Sequence, residues 1–342
     1  MAQATNFFPS QNVSVWYQKE TEVGIQPDDA ALKKMQATSF TIPEYGVPVE
    51  YSSPRSGQFV TTAGQGHHSE GTKMWTFDTT MRGTAEALLL ATTAVFESAA
   101  NPGILQNTYS FPKNSYANAS SNSPGTYDFR FEDAGSDTTH NNHVVNGCVG
   151  TGFTIGQDIG SEGGEMTCTI NWATGYPPNT VVATGANDAD DAITSPSYDT
   201  GVPYNIRSLT AASSEIEAGN DMVISAWELS ASRTIERVHY KDTTAGVFAP
   251  FGYAMTGGFE VTGSMTVIRN DDVHDLMANF RNSTTVDINL TDGTLVVALD
   301  KCLLNEPSID TGGAVLMETI PFTVVGADDI SSATTMVSIT RS

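Results

Sequence analysis

Strict alternation of apolar and polar positions recurs along the chain. Tyr127, Phe129 and Phe131 alternate with Asp128, Arg130 and Glu132. Met166, Cys168, Ile170 and Trp172 alternate with Thr167, Thr169 and Asn171. Phe259, Val261, Met265 and Val267 alternate with Glu260, Thr262, Ser264 and Thr266, and Val286, Ile288 and Leu290 with Asp287, Asn289 and Thr291. A period of two puts the apolar set on one face of a pleated strand. These segments predict half-buried antiparallel strands, wet on one side. Two segments follow a helical period instead. Val273, Leu276, Met277 and Phe280 follow Asp271 and Asp272, which predicts a short capped helix over Asp271–Arg281. Ala85, Leu88, Leu89, Thr92 and Phe96 predict a longer one over Thr84–Glu97, with Thr84 as the cap. A further helical turn is expected over Asp28 to Met35, after Pro27.

The elements recur in order. A strand at Lys73–Phe77 leads to the helix Thr84–Glu97, a strand at Tyr127–Phe131, then Cys148, Gly163-Gly164, an alternating strand and Gly175. Later, Val261–Ile268 leads to the helix Asp271–Arg281, a strand at Val286–Leu290, then Cys302, Gly312-Gly313, the strand Val315–Val325 and Gly326. The expected fold is therefore mainly β, with two tandem sheet-sandwich domains, each carrying one short flanking helix. The expected boundaries are an N-terminal arm at 1–35, a first domain at 36–175 with an insertion at 98–125, an acidic connector at 176–220, and a second domain at 221–342.

Composition narrows the function. The 342 residues carry 39 acidic and 16 basic side chains, a formal net charge of −23. Phosphate neutralisation needs clustered Lys and Arg, so tight nucleic-acid binding is not expected, nor is adhesion to an anionic membrane. The start, MAQATNFFPSQ, has no basic region and no apolar core, so no secretory signal is expected. The longest mostly apolar run, Ala85 to Phe96, is 12 residues, against about 20 for a membrane span. Three cysteines, Cys148, Cys168 and Cys302, are an odd count and are expected to be buried free thiols.

Motifs for chemistry are sparse. Gly150, Gly152 and Gly156 have the wrong spacing for a dinucleotide fingerprint and are expected in a glycine-rich β turn. His67-His68 and His140/His143 lack a third ligand in register and are expected as solvated loop histidines. The run Asn187–Asp191 lacks the glycine and distal Glu of a calcium loop. No nucleophile elbow is present. Neither catalysis nor a cofactor nor a bound metal is expected.

Several stretches together resemble the tail tube (major tail) proteins of long-tailed bacteriophages. They are Trp16-Tyr17-Gln18-Lys19-Glu20-Thr21-Glu22-Val23-Gly24, Gly46-Val47-Pro48-Val49, Ile224-Ser225-Ala226-Trp227-Glu228-Leu229-Ser230, Ile235-Glu236-Arg237, and Gly258 to Val267 before the Asp-capped helix. The resemblance implies half-barrel domains assembling into rings with an inner β-barrel, the rings stacking into a tube through which genomic DNA passes without specific binding during ejection. It places the protein in the virion tail after synthesis in the host bacterial cytoplasm, with other tail proteins at the tube ends. With two domains per chain, three chains would make a pseudo-six-fold ring; a ring of six chains is the alternative. The arm, the insertion and the connector are expected at contacts between subunits or rings. The channel-lining candidates are Lys73, Thr76 and Asp78 in the first half and Thr262, Ser264 and Thr266 in the second. A wall of net negative charge would repel phosphate and let the strand move. Competing readings are another virion decoration or capsid-associated sandwich, and a carbohydrate-binding β-protein using exposed Trp and Tyr.

Overall fold

The structure is a computed structural model. It describes residues 13–20, 24, 32–43, 49–51, 66–68, 73–96, 125–133, 142–160, 164–178, 197–198, 201–206, 215–216, 222–241, 248–269, 279–291, 294–325 and 336–341. The protein is mainly β. The strands are β1 (Val13–Lys19), β2 (Lys33–Lys34), β3 (Ala37–Phe40), β4 (Val49–Tyr51), β5 (Gly66–His68), β6 (Trp75–Arg82), β7 (Tyr127–Asp133), β8 (Asn142–Asp158) and β9 (Thr167–Thr174). They continue with β10 (Ser197–Tyr198), β11 (Glu215–Ile216), β12 (Ile224–Lys241), β13 (Phe248–Ile268), β14 (Val286–Thr291), β15 (Leu295–Leu304), β16 (Ser308–Asp310), β17 (Met317–Val324) and β18 (Val337–Arg341). Helix α1 (Ala85–Phe96) follows β6. Among the described residues sixteen strands form one sheet, and β4 and β5 pair separately.

Helix α1 starts where Thr84 accepts the Ala87 N–H on its hydroxyl (3.1 Å), an N-cap. It is apolar nearly all round, and Ala87 through Phe96 are buried, as a helix without a wet face must be. The expected second helix falls largely outside the described residues, which hold only its end, 279–282. Residues Lys33 and Lys34, inside the expected helical turn of 28–35, form strand β2 instead, paired with Trp16 and Tyr17 of β1. Tertiary pairing overrides the local preference there. Strand β1, from the expected arm, pairs over its whole length with β7, and Val15, Trp16 and Tyr17 are buried.

The same strand order occurs twice. In the first half it runs β7-β8-β9-β6-β3, and in the second β14-β15-β17-β13-β12. Registers recur as well. Tyr127 and Val286 face Cys148 and Cys302, and both pairings are irregular at the next residue. Those cysteines in turn face Thr174 and Val324. The halves are not separate sheets: β8 pairs with β12, from Gly152↔Ser232 to Asp158↔Ala226. Arg233 reinforces the junction. From β12 it donates to the carbonyls of Gly150 (3.0 Å) and of Ala94 in the last turn of α1 (2.8 Å). Tyr253 of β13 does likewise, donating to Gly147 O (2.6 Å) and accepting from Gly175 N–H (2.9 Å).

Three expectations about local structure are corrected. Gly150, Gly152 and Gly156 lie within strand β8, not in a turn. A Cβ on Gly152 or Gly156 would stand 2.8 Å from the carbonyl oxygen of Ala231 or Trp227 on β12, so the neighbouring backbone leaves no room for a side chain. His143 is a half-buried strand residue, edge-on to Phe131 at 6.0 Å; His67 and His68 lie in β5, and His140 and Asn187–Asp191 lie outside the described residues. Asp128 and Arg130, the wet members of one alternation, are buried as an ion pair at 3.6 Å. Over residues 127–131 strand β7 is covered on both faces. All three cysteines are buried free thiols.

Candidate functional site

The polar members of the alternating strands converge on one face. Residues opposite each other in a sheet share a face, so the pairings trace rows across it. One row runs Thr80, Thr169, Thr154, Ser230, Thr262, Thr323 over β6, β9, β8, β12, β13 and β17. All six side chains are hydroxyls. A second row runs Arg82, Thr167, Gly156, Glu228, Ser264, Pro321. A third holds Asp78, Asn171, Gly152, Ser232 and Glu260.

Five of the six sequence-selected residues fall on this face. Thr76 and Asp78 alternate with the buried Phe77 on β6, and Thr262, Ser264 and Thr266 alternate with buried Val261, Met265 and Val267 on β13. Lys73 does not join them. It precedes β6, shares the parity of buried Trp75 and Phe77, and its ammonium lies 5.2 Å from the Trp75 ring centroid, a cation–π contact.

The hydroxyls bond to one another. Thr80 and Thr169 are 3.0 Å apart, Thr154 and Ser230 3.1 Å, Thr266 and Thr319 3.0 Å. Between the halves the face hollows into a groove of about 450 Å³, lined by Thr154, Asp158, Glu165, Thr169, Glu228 and Thr266 among others. Among the described residues of these rows the cation is Arg82, held by Glu165 through two bonds of 3.0 and 2.7 Å. Asp78, Asp158, Glu228 and Glu260 leave the face net negative. All four tryptophans, Trp16, Trp75, Trp172 and Trp227, are buried, so none is offered to a sugar. Among the described residues no group of three or more metal-ligating side chains is found, and no helix is long and apolar enough to cross a membrane.

Sequence reasoning missed Thr80, Thr154, Thr169 and Ser230 as members of the same face. The alternation placed each on a polar side, but which polar sides coincide depends on pairing between distant segments.

No family model matches the chain, and no curated protein matches it. Among solved structures it is similar to a chain of the tail of an empty gene transfer agent particle, refined helically with C6 symmetry, at 11% identity, over 37% of this chain and 85% of that one, TM-score 0.24. It is also similar to a chain of the virion of a native gene transfer agent particle, at 11% identity, over 32% of this chain and 95% of that one, TM-score 0.23. Likeness at this level settles neither fold nor function.

Proposed function

We propose that the protein is a structural subunit of a phage-type virion, a duplicated tail-tube unit whose hydroxyl face lines the channel. The observation that carries this reading is the continuous polar face, shared by two runs of one strand order. A surface of mutually bonded hydroxyls with more carboxylates than cations gives phosphate little to hold. The chemistry therefore suits passage of DNA better than its capture. The two runs are tandem copies of one unit, within 36–175 and 221–342, joined by the connector. Three chains then supply six units to a ring; six chains per ring is the alternative. The copies stack in the virion tail, with other tail proteins at the ends, and no catalytic step is assigned.

Electron microscopy of the purified full chain tests this. Stacked rings with an axial channel are expected. Particles that stay single at high concentration, or that decorate a shell without forming tubes, would overturn it in favour of a decoration protein.

A further inference from the structure

We propose that one copy of the chain adds its β3 edge to the β16 edge of a second copy, with Ile42 opposite Ile309. The contact repeats between molecules the junction that β8 and β12 make inside one. This rests on the duplication reading above.

The internal junction serves as the template. There Ala226, Trp227, Glu228 and Leu229 of β12 face Asp158, Gln157, Gly156 and Ile155 of β8. Leu229 and Ile155 are 0% exposed.

Strand β3 corresponds to β12. It pairs with β6 as β12 pairs with β13, and both pairings are irregular at the same point. The register passes from Ala37↔Met81 to Ser39↔Thr80 in one, and from Ile224↔Val267 to Ala226↔Thr266 in the other. The two skipped residues even make the same bond. Thr38 donates its hydroxyl to Thr80 O (3.2 Å), and Ser225 to Thr266 O (3.1 Å).

Strand β16 corresponds to the C-terminal part of β8. Ser308↔Thr319 and Asp310↔Met317 repeat Thr154↔Thr169 and Gly156↔Thr167. Carrying the junction over sets Ser39 opposite Gly312, Phe40 opposite Thr311, Thr41 opposite Asp310, and Ile42 opposite Ile309.

Both isoleucines are among the exposed large apolar side chains, with Val202, Val223, Val315 and Leu316. Ile42 is 41% exposed and Ile309 44%, where their counterparts Leu229 and Ile155 are sealed. Among the described residues β3 pairs only with β6, and β16 only with β17. Both are edges, and an open edge invites a strand from another chain. They lie at opposite ends of the run β3-β6-β9-β8-β12-β13-β17-β16, so the contact is head-to-tail and closes into a ring when the rotation allows. It continues the hydroxyl face from molecule to molecule. The added pairing ends near Ile42, because Pro43 is buried and its carbonyl accepts a bond from His143.

Cross-linking decides it. Ile42→Cys and Ile309→Cys are made separately, purified, and treated with a short bis-maleimide linker alone and mixed. The native cysteines are buried and serve as the unreactive background. The mixture should give a covalent dimer that neither variant gives alone, and the double variant should give a ladder ending at the ring. Tubes without the mixed product would overturn this contact while leaving the tube reading intact. A chain that never assembles would overturn both. As a second arm, Ile309→Lys should abolish sedimenting oligomers and leave a folded chain with the parent's circular dichroism spectrum, since the side chain is exposed in the single chain. Normal assembly of that variant would also overturn the contact.

Discussion

Glu20 is nearly fully buried, and its carboxylate accepts the N–H groups of Gly24 (2.8 Å) and Gly147 (2.6 Å). Burial outweighs those bonds and lifts its pKa from 4.5 to about 7. The folded state thus holds a proton that the unfolded chain releases near 4.5. The resulting stability is complete below 4.5 and lost as pH rises through 7, about 3 kcal/mol at most. His143 runs the other way: burial lowers it from 6.5 to about 4, so its contribution is present above 6.5 and lost as pH falls through 4. Relative to the parent protein, Glu20→Gln should gain stability as pH rises from 4.5 to 7, and His143→Gln should lose it from 4 to 6.5. Melting midpoints across pH 4–8 check both signs; profiles parallel to the parent would contradict the assignment. A second residue pair follows from the repeated strand order. Gly147 and Lys301, each just before the corresponding cysteine, both have left-handed backbone, φ 62° and 60°. Lys301→Gly should stabilise by about 1 kcal/mol by relieving that conformation. A Cβ on Gly147 would stand 2.4 Å from the Tyr176 ring, so Gly147→Ala should cost about 2 kcal/mol or more. Urea unfolding measures both.

At the scale of elements, the β12–β13 hairpin binds the halves together. Its Arg233 holds two buried carbonyls of the first half, one at the C-terminal end of α1 where a cation is favoured. Arg233→Ala leaves both acceptors without that donor and should cost about 2–3 kcal/mol. An effect below about 0.5 kcal/mol in urea unfolding would show that strand pairing alone carries the junction. Alternation located β7, β9, the C-terminal part of β13 and β14, and the Thr84 cap located α1. It misread β7 as wet on one side, since nothing local to Asp128 and Arg130 reveals that the second face is covered. It also read the glycines of β8 as a turn, since their need arises from backbone of β12, some 75 residues away.

For the whole molecule, the hydroxyl face has an electrostatic consequence. Thr76→Lys combined with Thr262→Lys places two cations per chain on the proposed wall, at matching places in the two halves. In the proposed tube every ring would repeat them, so phosphate contacts would multiply along its length. The variant should still form tubes but should retain DNA at low salt and release it as salt rises, in a filter or mobility assay where the parent retains none. Tubes of the variant that leave DNA free at low salt would indicate that these positions face away from the channel.

From the sequence follow the strands, the buried helix, the acidic balance, the free thiols, and the recurring order of elements. These are local or compositional properties: side-chain period, capping chemistry and residue counts need no partner to be read. The pairing of β8 with β12, the single face shared by Thr76 and Thr262, the withdrawal of Lys73 onto Trp75, and the burial of Glu20 belong to the tertiary structure. Each depends on which distant backbones come to lie about 5 Å apart. A strand's own residues state that it has two faces, and only its neighbours decide what each face meets.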